Sequence, residues 1–238
     1  MKPKDSNRLP RLGELLQAEA SRLEERSRPP ADSRDVTREE KREFLDVCRE
    51  VCPKFRITEE MKPLLNDIVR WCLLLSGRYD PDKGLWLWGD IGTGKSTMLE
   101  IVKRYCRTHR RSEHYREPES PREMQRHPCP YSFRISNATC VAGMFAKGGY
   151  PAIEEFIINP RQAFDEVGRE TIPTGYFGNM ENVLQYLLQR RYDLRNGDFT
   201  HVTSNLSPEQ ISAVYGDHIY DRCIEMFNFV EMSGESWR

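Results

Sequence analysis

The 238 residues carry 36 Lys and Arg against 37 Asp and Glu, so no overall field draws the chain to nucleic acid or to an anionic membrane. Hydrophobic residues are 38% and charged residues 31%, enough apolar side chain for one substantial core with solvated segments outside it. No apolar run approaches the roughly 20 residues that span a bilayer. "MKPKDSNRLP" lacks the apolar centre of an export signal, and seven scattered cysteines fit reduced thiols; a cytoplasmic protein with no membrane partner is expected.

In chain order, Leu12, Leu15, Leu16, Ala20 and Leu23 fall on one face at helical spacing, until Pro29 and Pro30 break the pattern. Thr37 with Glu40 is a capping-box pattern for a second helix, "REEKREFLDVCREVC", ended by Pro53. Thr58 is expected to cap a third, "EEMKPLLNDIVRWCLLLSG", which leads through "RYDPDKG" into an apolar strand, "GLWLW". Residues 1–52 therefore read as a small helical appendage, partly flexible and suited to docking a partner, and 53–238 as the main domain. Cys48 and Cys52 read as apolar contacts, and Trp86 and Trp88 as core.

The stretch from Arg107 to Pro130 has almost no aliphatic residues and is rich in Arg, Glu and Pro, so it reads as a mobile surface insertion at about 107–130. Beyond it, short strand-like runs ("YSFRI", "RQAF", "THVTSN", "FNFVEM") alternate with longer helix-like ones. Such alternation predicts an α/β fold, a mostly parallel sheet flanked by helices.

The most specific pattern is Gly89-x-x-x-x-Gly94-Lys95-Ser96, a complete P-loop placed after an apolar strand and before a helix-compatible "STMLEIVKRYC". The glycines let backbone N–H groups turn around phosphate oxygens, and the helix N-terminus adds a favourable field. Gly89, Asp90, Ile91, Gly92, Thr93, Gly94, Lys95, Ser96 and Thr97 are thus the candidate nucleotide-binding residues. Lys95 would pair with the β- and γ-phosphates of a nucleoside triphosphate, and Ser96 would hold Mg²⁺. Hydrolysis also needs a metal-orienting acid and a base. "AFDEVG" offers Asp165 for the Mg²⁺ shell and Glu166 to polarise water, although "NPRQAF" is less apolar than a central strand should be.

P-loop, acidic pair, "HVTSN" and "YGDHIYDRCIEMF", in that order over roughly residues 55 to 238, resemble the AAA+ ATPases of the DnaC helicase-loader and IstB transposition-helper type. The resemblance implies an AAA+ P-loop NTPase fold, with Asn205 as the polar sensor after its strand and Arg222 as the arginine finger. A finger of this kind acts on ATP bound by a neighbouring subunit, which implies a ring or spiral oligomer. It also implies slow ATP hydrolysis stimulated by assembly or DNA, and a replicative helicase or transposase as partner. A helix facing single-stranded DNA would map to "NATCVAGMFAKGGYPAIEEF", with Lys147 and Tyr150 as contacts or as ordinary packing and solvent. No sizeable C-terminal helical lid is expected after the sensor region, which leads into "SGESWR".

Other readings stay open beside these. Asn205 could cap the helix at "SPEQISAVYG", for which Ser207 is the better cap, and Arg222 could pair with Asp217 or Asp221. Arg190 and Arg191 could meet a neighbouring subunit or decorate a helix. Cys106-x-x-His109 and His127-x-Cys129, with His114 between, could form a zinc knuckle or a solvated loop. For the chain as a whole, the alternative is a nucleotide-dependent adaptor that binds a partner through residues 1–52 with hydrolysis incidental. A small-molecule kinase shares the P-loop, but the Pro- and Glu-rich insertion suits an arginine-rich lid poorly.

Overall fold

The computed structural model describes residues 33–109, 133–159, 161–194 and 200–233. Five strands form one parallel sheet in the order β2-β3-β6-β1-β7, with β1 at Gly84–Trp88, β2 at Arg134–Asn137, β3 at Gln162–Val167, β6 at Thr200–Ser204 and β7 at Phe227–Glu231. A second, antiparallel pair joins β4 (Thr174–Tyr176) to β5 (Asn179–Glu181). The helices are α1 (Arg38–Val51), α2 (Met61–Cys72), α3 (Lys95–His109), α4 (Ala138–Ile153), α5 (Glu155–Ile158), α6 (Val183–Leu194), α7 (Pro208–Tyr215) and α8 (Asp217–Met226).

The period of a strand divides the core in two. Leu85 and Leu87 of β1 face a cluster built with α1, α2 and α3, while Trp86 between them faces a cluster built with α4, α6, α7 and α8. Central strands covered on both faces are buried along their length: β6 is buried at all five positions, and Gln162, the polar residue that made β3 look unlike a strand, is fully buried. Its amide N–H groups reach Ser136 Oγ at 3.0 Å and Ala163 O at 2.9 Å, while its Oε1 has no hydrogen-bond partner among the described residues. β1 starts at glycine for a steric reason: a Cβ at Gly84 would stand 1.7 Å from the Thr200 carbonyl oxygen of β6.

The Thr37–Glu40 capping box forms as the sequence predicts. Thr58 does not cap the next helix. Its carbonyl accepts from Met61 N in a preceding turn, and α2 stops at Cys72, because Leu74 takes a φ of 59°. α1, grouped with the appendage on sequence, packs in the same core as the P-loop helix: the Phe44 and Tyr105 rings meet edge-on at 5.1 Å, and Tyr105 donates to Glu40 O at 3.2 Å. Cys48 is fully buried there. The helix predicted over residues 12–23 lies outside the described residues. α3 runs through His109, so its final turn includes the start of the expected insertion, whose residues 110–130 also lie outside them. Among the described residues no helix is long and apolar enough to cross a membrane.

The β4–β5 hairpin has no counterpart in the sequence reading. Its turn is Phe177–Gly178, both at positive φ (44° and 83°), and Phe177 is 90% exposed.

Candidate nucleotide site

β1 delivers the chain into the loop at Gly89, and Gly89, Gly92 and Gly94 hold φ values of 143°, 94° and 84°. Side chains rarely adopt these angles, so the glycine spacing follows from the backbone path. The loop then closes on itself. Thr93 Oγ1 donates to Asp90 O at 2.9 Å, and Lys95 Nζ donates to Gly89 O at 2.7 Å and Asp90 O at 2.6 Å. Burial pushes the Lys95 ammonium below its usual pKa, opposed by the Asp90, Asp165 and Glu166 carboxylates. Because α3 begins at Lys95, its unpaired N-terminal amides open onto the same space.

β3 brings the acids. Asp165 Oδ1 accepts from Ser96 Oγ at 2.8 Å and from Thr203 Oγ1 at 2.5 Å. Thr203 Oγ1 also accepts from Glu166 N at 2.9 Å. The β3–β6 register shifts between Phe164 and Val167, and Glu166 sits there at a φ of 61°. A bulge with a strained residue re-aims its side chain, here toward the P-loop. Both carboxylate oxygens of Glu166 are occupied: Asn137 Nδ2 donates to Oε2 at 3.1 Å and Arg169 to Oε1 at 2.5 Å. Asn137 is itself fixed as the cap of α4, its Oδ1 accepting from Thr139 N at 3.0 Å and Cys140 N at 3.4 Å. Behind Glu166, the buried Glu170 accepts from Gly168 N at 2.7 Å and from Tyr215 Oη, at the end of α7, at 2.5 Å.

One cleft is therefore lined by Ile91, Gly92, Gly94, Lys95, Ser96, Thr97, Glu166, Arg169, Thr203 and Asn205. Gly89, Asp90 and Thr93 form the supporting part of the loop, and Asp165 reaches the cleft through Ser96. Ser207, not Asn205, caps α7, its hydroxyl accepting from Gln210 N at 3.4 Å. Asn137, Arg169 and Thr203 are site residues the sequence reading lacks. The signals present were the asparagine between "FRIS" and a helix, the arginine after "DEVG", and the threonine one alternation before Asn205. Ser96 Oγ and Asp165 Oδ1 are hard oxygen donors one hydrogen bond apart, a set that fits Mg²⁺.

Arg222 lies elsewhere. It lines a groove between α6 and α8 with Gln185, Gln189 and His218; its guanidinium stands 5.1 Å over the Tyr192 ring and donates to His218 O at 3.2 Å. Of the paired arginines on α6, Arg190 is exposed, whereas Arg191 is buried, so decoration of a helix surface does not describe it. Arg191 donates to Thr200 Oγ1 at 2.7 Å, Phe156 O at 2.7 Å and Asn159 O at 2.8 Å, which ties the end of α5 to the start of β6. Lys147 is exposed on α4, while Tyr150 donates to Glu181 Oε2 at 2.5 Å and its ring packs on Phe145 and Tyr186. The Cys106 thiol is buried; His114, His127 and Cys129 of the suggested zinc knuckle lie outside the described residues. Among the described residues no group of three His, Cys, Asp or Glu could hold a metal ion.

With this geometry in place, the sheet order and the P-loop at the end of a central strand can be compared with solved proteins. The DnaC helicase loader superposes with a TM-score of 0.52 at 12% identity, over 80% of this chain and 99% of that one. DnaI superposes with a TM-score of 0.52 at 17% identity, over 80% of this chain and 93% of that one. The chain has an AAA+ P-loop fold. No protein-family model matches the sequence, and no curated protein matches it.

Proposed function

We propose that the chain binds ATP with Mg²⁺ in the Lys95 cleft and hydrolyses it slowly, as an oligomer that helps a replicative helicase or a transposase engage DNA. The observation that carries this reading is the hydrogen bond from Ser96 to Asp165, which joins the phosphate loop to the acidic strand beside Lys95, Glu166 and Asn205. Ser96 and Asp165 would hold Mg²⁺, which neutralises phosphate charge when bound. Lys95 would exchange its loop carbonyls for phosphate oxygens. Glu166 would accept hydrogen from the attacking water, and Asn205 would orient that water or the terminal phosphate. The groove position of Arg222, outside its own protomer's cleft, suits a residue that completes a neighbour's site. Likeness to a helicase loader supports the partner class through fold alone.

Phosphate release from ATP, measured against protein concentration with and without single-stranded DNA, tests the reading. Turnover that rises with concentration, is lost in Lys95→Ala, and is lost with nucleotide binding kept in Arg222→Ala, supports it. Turnover of Arg222→Ala equal to wild type at every concentration removes the oligomeric finger.

A further inference from the structure

Among the described residues, Arg169 is the one cation besides Lys95 that lines the cleft. Its guanidinium rests on Glu166 Oε1 at 2.5 Å, an ion pair whose side chains are 53% and 37% exposed. Pairs of that exposure are weak and readily exchanged. The backbone beneath it is fixed on both sides. Arg169 N donates to Glu166 O at 3.2 Å, Gly168 packs against Leu206, and Glu170 is anchored by Tyr215 and Gly168 N. Only the side chain is left to move, and it lines the same cleft as the phosphate loop.

Resting on the nucleotide reading above, we infer that Arg169 is a discriminator of triphosphate from diphosphate, exchanging Glu166 for the terminal phosphate when ATP enters. The charge balance of the cleft favours the exchange. Lys95 and Arg169 already face the Asp90, Asp165 and Glu166 carboxylates, so the empty cleft holds no excess of positive charge. A Mg²⁺-bound triphosphate would add net negative charge to the cleft that Lys95, Glu166 and Arg169 line, and Lys95 and Arg169 would hold its last phosphate. A guanidinium pairs with a phosphate through two parallel N–H···O bonds, a better match than one carboxylate oxygen. Once Arg169 leaves, Glu166 Oε1 is open to water. ADP brings no terminal phosphate to that place, so the ion pair persists and Glu166 stays occupied.

Titration calorimetry of the full chain with ADP and with a non-hydrolysable methylene-bridged ATP analogue, each with Mg²⁺, separates the possibilities. In Arg169→Ala, affinity for the triphosphate analogue falls by about tenfold or more, the scale of one lost charge-assisted contact. Affinity for ADP is unchanged in the same variant, which also shows that it is folded. Arg169→Lys recovers part of the loss. Equal changes for both nucleotides, or no change for either, overturn the inference while leaving nucleotide binding intact. If wild type binds neither nucleotide, and Lys95→Ala behaves identically, the nucleotide reading falls and this inference falls with it.

Discussion

The Ser96 hydroxyl donates to Asp165 Oδ1 at 2.8 Å across 69 positions of chain, and Thr203 donates to the same oxygen from β6. Three segments that meet in space but not in sequence therefore converge on one carboxylate oxygen, with the phosphate loop on one side and the adjacent strand on the other. In Ser96→Ala, nucleotide affinity in Mg²⁺ should fall about tenfold through loss of one oxygen donor. The gap between variant and wild type should close in excess EDTA, since the hydroxyl then has no metal to serve. Fluorescent-nucleotide titration in both buffers checks this, and an equal loss without metal would assign Ser96 to the phosphates instead.

Asn137 serves two neighbours with two different atoms, the α4 amides through Oδ1 and Glu166 through Nδ2. The two duties can be separated. Asn137→Ala removes both and should cost about 1 kcal/mol of cap energy, visible as a fall of about 2–4 °C in Tm for a domain of this size. Asn137→Asp keeps a good cap but places a second carboxylate against Glu166, so Tm should hold while ATP turnover falls. Differential scanning calorimetry and phosphate release, run on both variants, decide the matter. A turnover loss confined to the alanine variant would mean that the cap alone matters.

Adjacent arginines on α6 should behave very differently. Arg191→Leu leaves the buried Phe156 carbonyl and the part-buried Asn159 carbonyl without their donor and should cost about 3 kcal/mol in urea unfolding. Arg190→Ala changes an exposed side chain and should stay within about 0.5 kcal/mol of wild type.

The Arg34 guanidinium on Glu40, helped by the Thr37 hydrogen bonds and opposed by burial, holds that carboxyl down to about 2 against an ordinary value of 4.5. A depressed carboxyl stabilises the fold at pH above its unfolded value and loses that contribution as pH falls through the folded one. The stability difference between wild type and Glu40→Gln should therefore be constant above about pH 5 and shrink between pH 4.5 and 2. Chemical unfolding at several pH values measures it; a difference independent of pH would assign the effect to the capping hydrogen bonds alone.

What was legible in the sequence was local. The P-loop announces itself because its glycines, lysine and serine act within one turn of chain, and the strand before it and the helix after it form where the pattern predicts. The capping box at Thr37 and Glu40 is legible for the same reason. Arg191 was not, because its partners sit on α5, the loop after it and β6, and nothing in "LLQRRYD" distinguishes a buried arginine from its exposed neighbour. Asn137 and Arg169 take their place from Glu166 across a bulge, and a bulge has no periodicity to read. The β4–β5 hairpin escaped because strands of three residues are too short to show alternation, and its turn places phenylalanine where asparagine is usual. α1 was set apart because Pro53 looked like a boundary, yet Phe44 and Cys48 face the core like any other buried pair.

The hydrogen bond between Tyr215 and Glu170 has a mechanical corollary. Glu170 belongs to the loop that follows β3, the strand that carries Glu166, and Tyr215 is followed at once by Gly216 and by α8, which carries Arg222. If the loop swings away from α7, the buried Tyr215 hydroxyl is left without its acceptor, a larger penalty than breaking an exposed ion pair. The acid of the cleft and the arginine of the groove are thus linked through one buried hydrogen bond, with a positive-φ glycine on either side of it, Gly168 and Gly216.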